Sequence, residues 1–454
     1  MIAKTDTLAR GQAFRLKSGG GGFVGALVGS GGQGSVYEAD CGGRKLAMKW
    51  YHPHVAVSDA TLRQRISRMV QQGPPDQNFV WPMDIVEIDG LNSFGYVMPM
   101  ISGDRRPLKD MFTRTDESIN PSLVARVTAC LNIATSFQKL HATGYCYQDV
   151  NLGGFFIEPE RGTVQICDAD NISVDGELGG VYGTRKFMAP EVLRREALPS
   201  TKTDLYSMAV LFFYLIFNWH PLDGQAEANI PLLNAAAELK LYGTNPKFIF
   251  DPTDQSNGPV PGVHDWIVAR WKAMPEALRL LFVRMFTGGL MQAGLRPVES
   301  EWRNALDQLS EAVVACSSCG FEHGVDERLL ESGCHCLICN AKVELPPLLT
   351  TKRSPLLLKV RRKIVEYQMS TGYVDLTAPV IASVQSNPKD PSIMGLQNMH
   401  TATWTVQAED NRVLSVPPGK TVRIVDGLNI TFGQYHGLIS NVAAATTTLA
   451  GRVA

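Results

Sequence analysis

The sequence predicts an α+β chain: a strand-rich opening of about a hundred residues, a helix-rich middle about twice as long, and a small all-β end. Three observations predict it. Short β-like runs at 23–28 and 35–39 flank a glycine cluster. Leu123, Val127, Leu131, Ala134, Phe137 and Leu140 recur at helical spacing. Two Cys-x-x-Cys pairs, Cys316/Cys319 and Cys336/Cys339, then precede short alternating runs broken by turn residues.

Composition narrows the function classes. The chain has 454 residues and a formal net charge of −1, so no basic excess argues for nucleic acid and no acidic tail for disorder. The start, MIAKTDTLAR, lacks the apolar core of a signal peptide. The longest apolar run, 205–217, is too short to span a bilayer and opens beside Asp204, so it reads as a buried helix. Five of the nine cysteines fall between 316 and 339, a reduced-compartment pattern with one metal site that implies a cytoplasmic location.

In chain order, 18–22 reads as a hairpin turn and 29–34 as a loop between strands. Backbone N–H groups of such a loop can approach phosphate oxygens because no Cβ intervenes. The stretch 59–71 reads as a helix ended by Pro74-Pro75, and 79–87 with 93–98 as a strand pair about Asp89-Gly90. The helix at 121–141 is closed by Gly144, and His141 reads as a core residue rather than a base. A polar loop then holds Asp149, strands 155–157 and 164–167 follow, and Asp168 and Asp170 leave the second. Carboxylates on either side of such a hairpin can face one pocket, one acting on a hydroxyl proton and one holding a metal. Residues 266–290 and 302–314 resume helix.

Six motifs in order over 29–296 resemble the protein kinases. Gly29, Ser30, Gly31, Gly32, Gln33, Gly34 and Val36 match the glycine-rich loop, and Ala47, Met48 and Lys49 the lysine strand. Leu140, His141 and Gly144 lead to Asp149 at the catalytic position, and Asp168 stands at the metal-binding position. The run 183–191 resembles the close of the activation loop, Asp204 opens the central helix, and Arg296 stands where an arginine pairs with Glu191. The resemblance implies a bilobal kinase-like fold that binds ATP with Mg²⁺ or Mn²⁺, adenine lying at the hinge of Met98 and Met100, and acts on a protein substrate. Thr184 leans towards Ser/Thr acceptors.

Departures accompany the resemblance. No Glu lies between Trp50 and Val86 to steady Lys49, so Gln64, Gln71 or Asp59 substitutes, or Lys49 is held differently. Gln148 replaces the arginine that answers a phosphorylated loop, implying activity without that phosphorylation. Gly154 replaces the asparagine that ligates a second metal, leaving Asp170 and Asn151 as candidate oxygen ligands. The alternative function is a pseudokinase, a nucleotide-binding switch whose chemistry these losses have abolished.

Cys316, Cys319, Cys336 and Cys339 suit a closed, structural Zn²⁺ site, each pair followed by a residue that tolerates positive φ. The expected domains are 1–100 and 101–312 (two lobes), 313–345 (zinc ribbon), 346–358 (linker) and 359–454 (β-rich docking module, frayed from 443). The basic stretch at 359–367 reads as a solvated face. This architecture resembles bacterial kinases encoded with a von Willebrand-type protein and a phosphatase in tellurium-resistance sets, which implies such partners, without nucleic acid or a membrane span.

Overall fold

The computed structural model describes residues 7–113, 115–326, 334–353, 355–371, 373–408 and 412–441. The expected frayed end, the turn residues 409–411 and the first six residues lie outside them. The chain divides into two compact units, Met1–Asp265 with Leu280–Trp302, and Trp266–Arg279 with Arg303–Ala454.

The first unit opens with an antiparallel barrel of strands β1 (Ala13–Leu16), β2 (Gly21–Ser30), β3 (Gly34–Cys41), β4 (Arg44–Tyr51), β5 (Asp84–Glu87) and β6 (Gly95–Met98), ordered 1-2-3-4-6-5. Phe14, Val24, Tyr37, Met48, Trp50 and Val97 form its core. From Leu46 to Tyr51, β4 is buried on both faces, which carries Lys49 inside. Two short helices follow β4, α1 (Pro53–Ser58) and α2 (Leu62–Gln72). The helix expected from Asp59 begins later because that carboxylate accepts from the Thr61 N–H (3.0 Å), closing a turn. Leu62, Ile66 and Met69 then form the buried stripe of α2.

Helix α3 (Leu123–Ala142) is capped by the Ser122 hydroxyl, which accepts from the Ala125 N–H (3.2 Å). The remaining short strands are β7 (Arg106–Pro107), β8 (Tyr145–Cys146), β9 (Phe155–Ile157), β10 (Val164–Ile166) and β11 (Ser173–Val174). β9 and β10 pair as the expected hairpin, with Val164 opposite Ile157. Helix α4 (Pro190–Leu193) precedes α5 (Thr201–Phe217), which starts at a Ser200/Thr203 capping box and buries nearly every residue. The stretch 266–290, expected to resume helix, holds three helices, Asp265–Lys272, Glu276–Phe286 and Gly288–Met291, the first break falling at Pro275, which cannot continue the hydrogen-bond ladder.

In the second unit, Val313–Ala315 pairs with Glu322–Gly324. A six-stranded sheet runs in the order Pro355–Leu357, Leu348–Thr350, Tyr435–Ser440, Leu428–Phe432, Trp404–Gln407, Val413–Val416. A four-stranded sheet joins Lys363–Val365, Val380–Ser386, Met394–Asn398 and Thr421–Arg423. Their shared core holds Trp404, Ile381, Leu396, Ile430 and Phe432. The stretch 346–358, expected to be a linker, instead contains a hairpin, because Leu348–Thr350 finds a distant partner in Tyr435–Ser440. Within the stretch expected to be a solvated face, the Arg362 side chain is 8% exposed and pairs with Glu311. Among the described residues, no helix is long and apolar enough to cross a membrane.

Candidate active site

The β2–β3 turn builds a cradle. The Gly31 N–H donates to Gly34 O (2.9 Å), and the His52 N–H donates to Gln33 O (2.9 Å) while the His52 ring lies 3.0 Å from Gly31 O. Gly34 is obligatory, since a Cβ there would lie 2.3 Å from Trp50 O. Gly29 and Gly32 have open space where a Cβ would be, so that side of the loop can admit a phosphate. Val36 on β3 lies opposite Lys49 on β4, and Ala47 opposite Met98 on β6; Ser30 contacts Ser35, and Met100 is exposed past the strand.

Lys49 Nζ lies 2.6 Å from Asp170 Oδ2, 3.9 Å from Asp168 Oδ1 and 3.2 Å from Gln33 Oε1. Asp170 also accepts from the hydroxyls of Tyr51 (2.8 Å) and Tyr96 (3.3 Å). Burial alone would lower the lysine's pKa, but Asp170 and Asp168 outweigh it and raise the value. Burial alone would raise that of Asp170, yet the Lys49 charge and the Lys49 and Tyr51 hydrogen bonds bring it below its ordinary value. The partner sought for Lys49 on α2 therefore lies elsewhere: Gln64 and Gln71 are exposed, and Asp59 pairs with Arg65 (2.9 Å).

Asp204, at the start of α5, accepts from the backbone N–H groups of Tyr147 and Gln148 (3.0 Å for Gln148) and so fixes the polar loop, with Gln148 at φ 71°. Asp149 accepts from the Thr184 hydroxyl (2.8 Å). Gln148 donates to Glu177 O (2.6 Å) and accepts from the Gly179 N–H (2.9 Å). Arg296 pairs with Glu191 at 2.9 Å.

The Asp168 side chain is 41% exposed. Desolvation raises its pKa and the nearby Asp170 and Asp149 add to this, with Lys49 opposing, so a cation there would relieve crowded negative charge. The two further oxygen ligands expected are engaged elsewhere. Asn151 Oδ1 accepts from the N–H groups of Gly153 (2.8 Å) and Gly154 (3.0 Å), while Asp170 holds Lys49. A Cβ at Gly154 would stand 3.0 Å from the Tyr147 hydroxyl and 3.3 Å from Asp168 Oδ2.

Sequence reasoning missed Tyr51, Tyr96 and His52. Tyr51 had a usable signal, because residues two apart on a strand share a face and Tyr51 follows Lys49 at that interval. Tyr96 and His52 gave none.

In the second unit, the sulfurs of Cys316, Cys319, Cys336 and Cys339 lie within 4.8 Å of one another. Gly320 (φ 76°) and Asn340 (φ 58°) turn the backbone so that their N–H groups donate to Cys316 O (2.8 Å) and Cys336 O (2.9 Å). Four converging thiols, which would bind as soft thiolates, fit a tetrahedral, borderline-soft Zn²⁺.

Comparison with known proteins shows a family over part of the chain. A family model for the protein kinase domain matches residues 24–271. The protein kinase YegI of Escherichia coli K12 is 25% identical over 309 residues, covering 64% of this chain and 45% of that protein. The serine/threonine-protein kinase pkn2 of Myxococcus xanthus is 26% identical over 242 residues, covering 47% and 28%. The dual specificity protein kinase shkE of Dictyostelium discoideum is 26% identical over 196 residues, covering 41% and 26%. The chain thus spans less than half the length of each of these relatives.

Proposed function

The chain belongs to the protein kinase family, and from that premise we propose that it transfers the γ-phosphoryl group of ATP to a Ser or Thr hydroxyl of a protein. Backbone N–H groups of 29–34 cradle the phosphates and Lys49 meets them as a point charge. Asp168 would hold Mg²⁺ (or Mn²⁺), which would supply positive charge to neutralise the phosphates. Asp149 orients the acceptor hydroxyl and takes its proton as the new P–O bond forms and the bond to the bridging oxygen of ADP breaks. The observation carrying this reading is the convergence of Lys49 on Asp168 (3.9 Å) and on Gln33 of the glycine loop (3.2 Å).

The hydrogen bonds that Gln148 donates to Glu177 O and accepts from the Gly179 N–H support activity without activation-loop phosphorylation, because an amide already makes the link that a phosphate would otherwise bring. The Ser/Thr preference rests on Thr184 and on the names of distant relatives, among which a dual specificity kinase also stands. In this reading residues 1–100 bind nucleotide, 101–312 carry the catalytic loop, 313–345 form a ribbon on Zn²⁺, and 359–454 form a β-rich docking module. The free cysteines suit a reducing, cytoplasmic setting.

A second reading, a nucleotide-binding switch without transfer, is favoured by one observation. Gly154 offers no ligand, and Asn151 and Asp170 are engaged elsewhere.

The test compares wild type with Asp149→Ala and Asp168→Ala for transfer of labelled phosphate from ATP to the chain itself and to a generic basic protein. Signal from wild type alone supports the kinase. Equal signal from all three removes it. Nucleotide binding lost in Lys49→Ala, with no transfer by any form, leaves the switch.

A further inference from the structure

We propose that Asp170 is the fixed counter-ion that positions Lys49, so that alignment of this lysine is built into β4 and the turn after β10 and does not depend on helix α2. The inference rests on the reading of Lys49 as the phosphate-binding cation. In kinases that lysine is ordinarily paired with an acid on the helix, and moving the helix makes or breaks the pair. Here α2, LRQRISRMVQQ, contains no acid. Its contribution at this point is a cation: Arg65 binds Asp59 through one nitrogen, and through the other approaches the backbone oxygen of Asp170 at 3.5 Å.

The pair is nearly buried, with Lys49 also reaching towards Asp168 at 3.9 Å. The side chains of Lys49 and Asp170 are 9% and 1% exposed. Two tyrosine hydroxyls, from neighbouring strands β4 and β6, hold the carboxylate in place. Asp170 sits in the single turn Ala169–Asn171, whose start at Asp168 takes a left-handed φ of 51°. The same backbone turn therefore presents Asp168 to the cleft and Asp170 to the lysine. A carboxylate carrying an ammonium and two hydroxyl donors is a positioning group and a poor ligand for a second metal.

The test is a double-mutant cycle read by titration with a fluorescent ATP analogue at low and high Mg²⁺, with folding checked by circular dichroism. Asp170→Asn is expected to weaken binding tenfold or more at both Mg²⁺ levels, and Lys49→Met similarly. Lys49→Met/Asp170→Asn should fall within twofold of Lys49→Met alone, because Asp170 acts through the lysine. Gln64→Ala and Gln71→Ala should stay within twofold of wild type. Tyr51→Phe, which loosens the carboxylate without removing charge, supplies a milder loss should Asp170→Asn fail to fold.

Binding by Asp170→Asn equal to wild type overturns the proposal and leaves the kinase reading intact. So does a loss that adds fully to that of Lys49→Met and disappears at high Mg²⁺, which would make Asp170 a metal ligand. Wild type that binds no nucleotide overturns the kinase reading and this role together.

Discussion

Thr184 donates its hydroxyl to Oδ1 of Asp149 over 2.8 Å, joining the segment that ends at Glu191 to the loop that would orient the acceptor. The other end of that segment is anchored by the Glu191–Arg296 pair, whose arginine is almost wholly buried. Removing the hydroxyl frees the Asp149 carboxylate to rotate without disturbing the 29–34 loop. Thr184→Ala is therefore expected to lower kcat about tenfold, equivalent to about 1.4 kcal/mol in the transition state, with little change in KM for ATP. Thr184→Ser should restore most of the rate. A Thr184→Ala variant altered only in KM would deny Thr184 this role.

Gln148 supplies a second prediction. Its side-chain amide both donates to Glu177 O and accepts from the Gly179 N–H, so the segment is held by a neutral group at two points. Gln148→Ala removes both hydrogen bonds to this segment, worth about 1 kcal/mol each. Hydrogen exchange at residues 177–180 should quicken about thirtyfold, and phosphatase treatment of wild type should leave its transfer rate unchanged. A rate that collapses on dephosphorylation would contradict the amide's proposed role.

The parts of this site that were legible in the sequence are those written locally. The loop 29–34, Lys49, Asp149 and Asp168 each sit in a short run whose chemistry shows without a partner. What was not legible depends on residues far apart in the chain. The sequence invites a search for the lysine's acid on the next helix, whereas the acid is 121 residues away. Asp170 itself was noticed, but as an oxygen ligand, because nothing local reveals that Tyr51 and Tyr96 close around it. The hairpin inside 346–358 was missed for the same reason, since its pairing partner is Tyr435–Ser440. The break at Pro275 is different: a proline inside a helical pattern was there to be read.

The four-sulfur cluster yields a prediction independent of nucleotide. Each knuckle turns on a residue at positive φ, and the sulfurs approach in pairs, Cys316 to Cys339 at 3.7 Å and Cys319 to Cys336 at 3.5 Å. Binding to such a site contributes about 10 kcal/mol or more to folding of a small module. Protein prepared without chelator should contain about one zinc per chain. Cys336→Ser should lose it, and strong chelation should open 313–345 to protease. Full-length protein with no zinc, and unchanged proteolysis in Cys336→Ser, would rule the metal out.

The last prediction concerns pH. His141 lies between two carboxylates, with Nδ1 on Glu299 and Nε2 3.1 Å from Asp204, and its side chain is nearly buried. Burial alone would lower its pKa, but hydrogen bonds and charges from Asp204 and Glu299 raise it to about 9. The unfolded value is about 6.5, so the folded state holds the proton more tightly. The stabilisation is thus fully present below about pH 6.5 and is lost as pH rises towards about 9, amounting to up to about 3 kcal/mol. Urea unfolding at pH 6.5, 8 and 9.5 should show the difference between wild type and His141→Gln narrowing as pH rises; a constant difference would refute the charged pairing. Because Asp204 also accepts from the N–H groups of Tyr147 and Gln148, loss of the imidazolium leaves an acid that holds the catalytic loop facing Glu299 without an intervening positive charge. Transfer activity of wild type should therefore fall above about pH 9 in step with stability, ahead of any titration of Lys49, whose pKa is raised from an already high value.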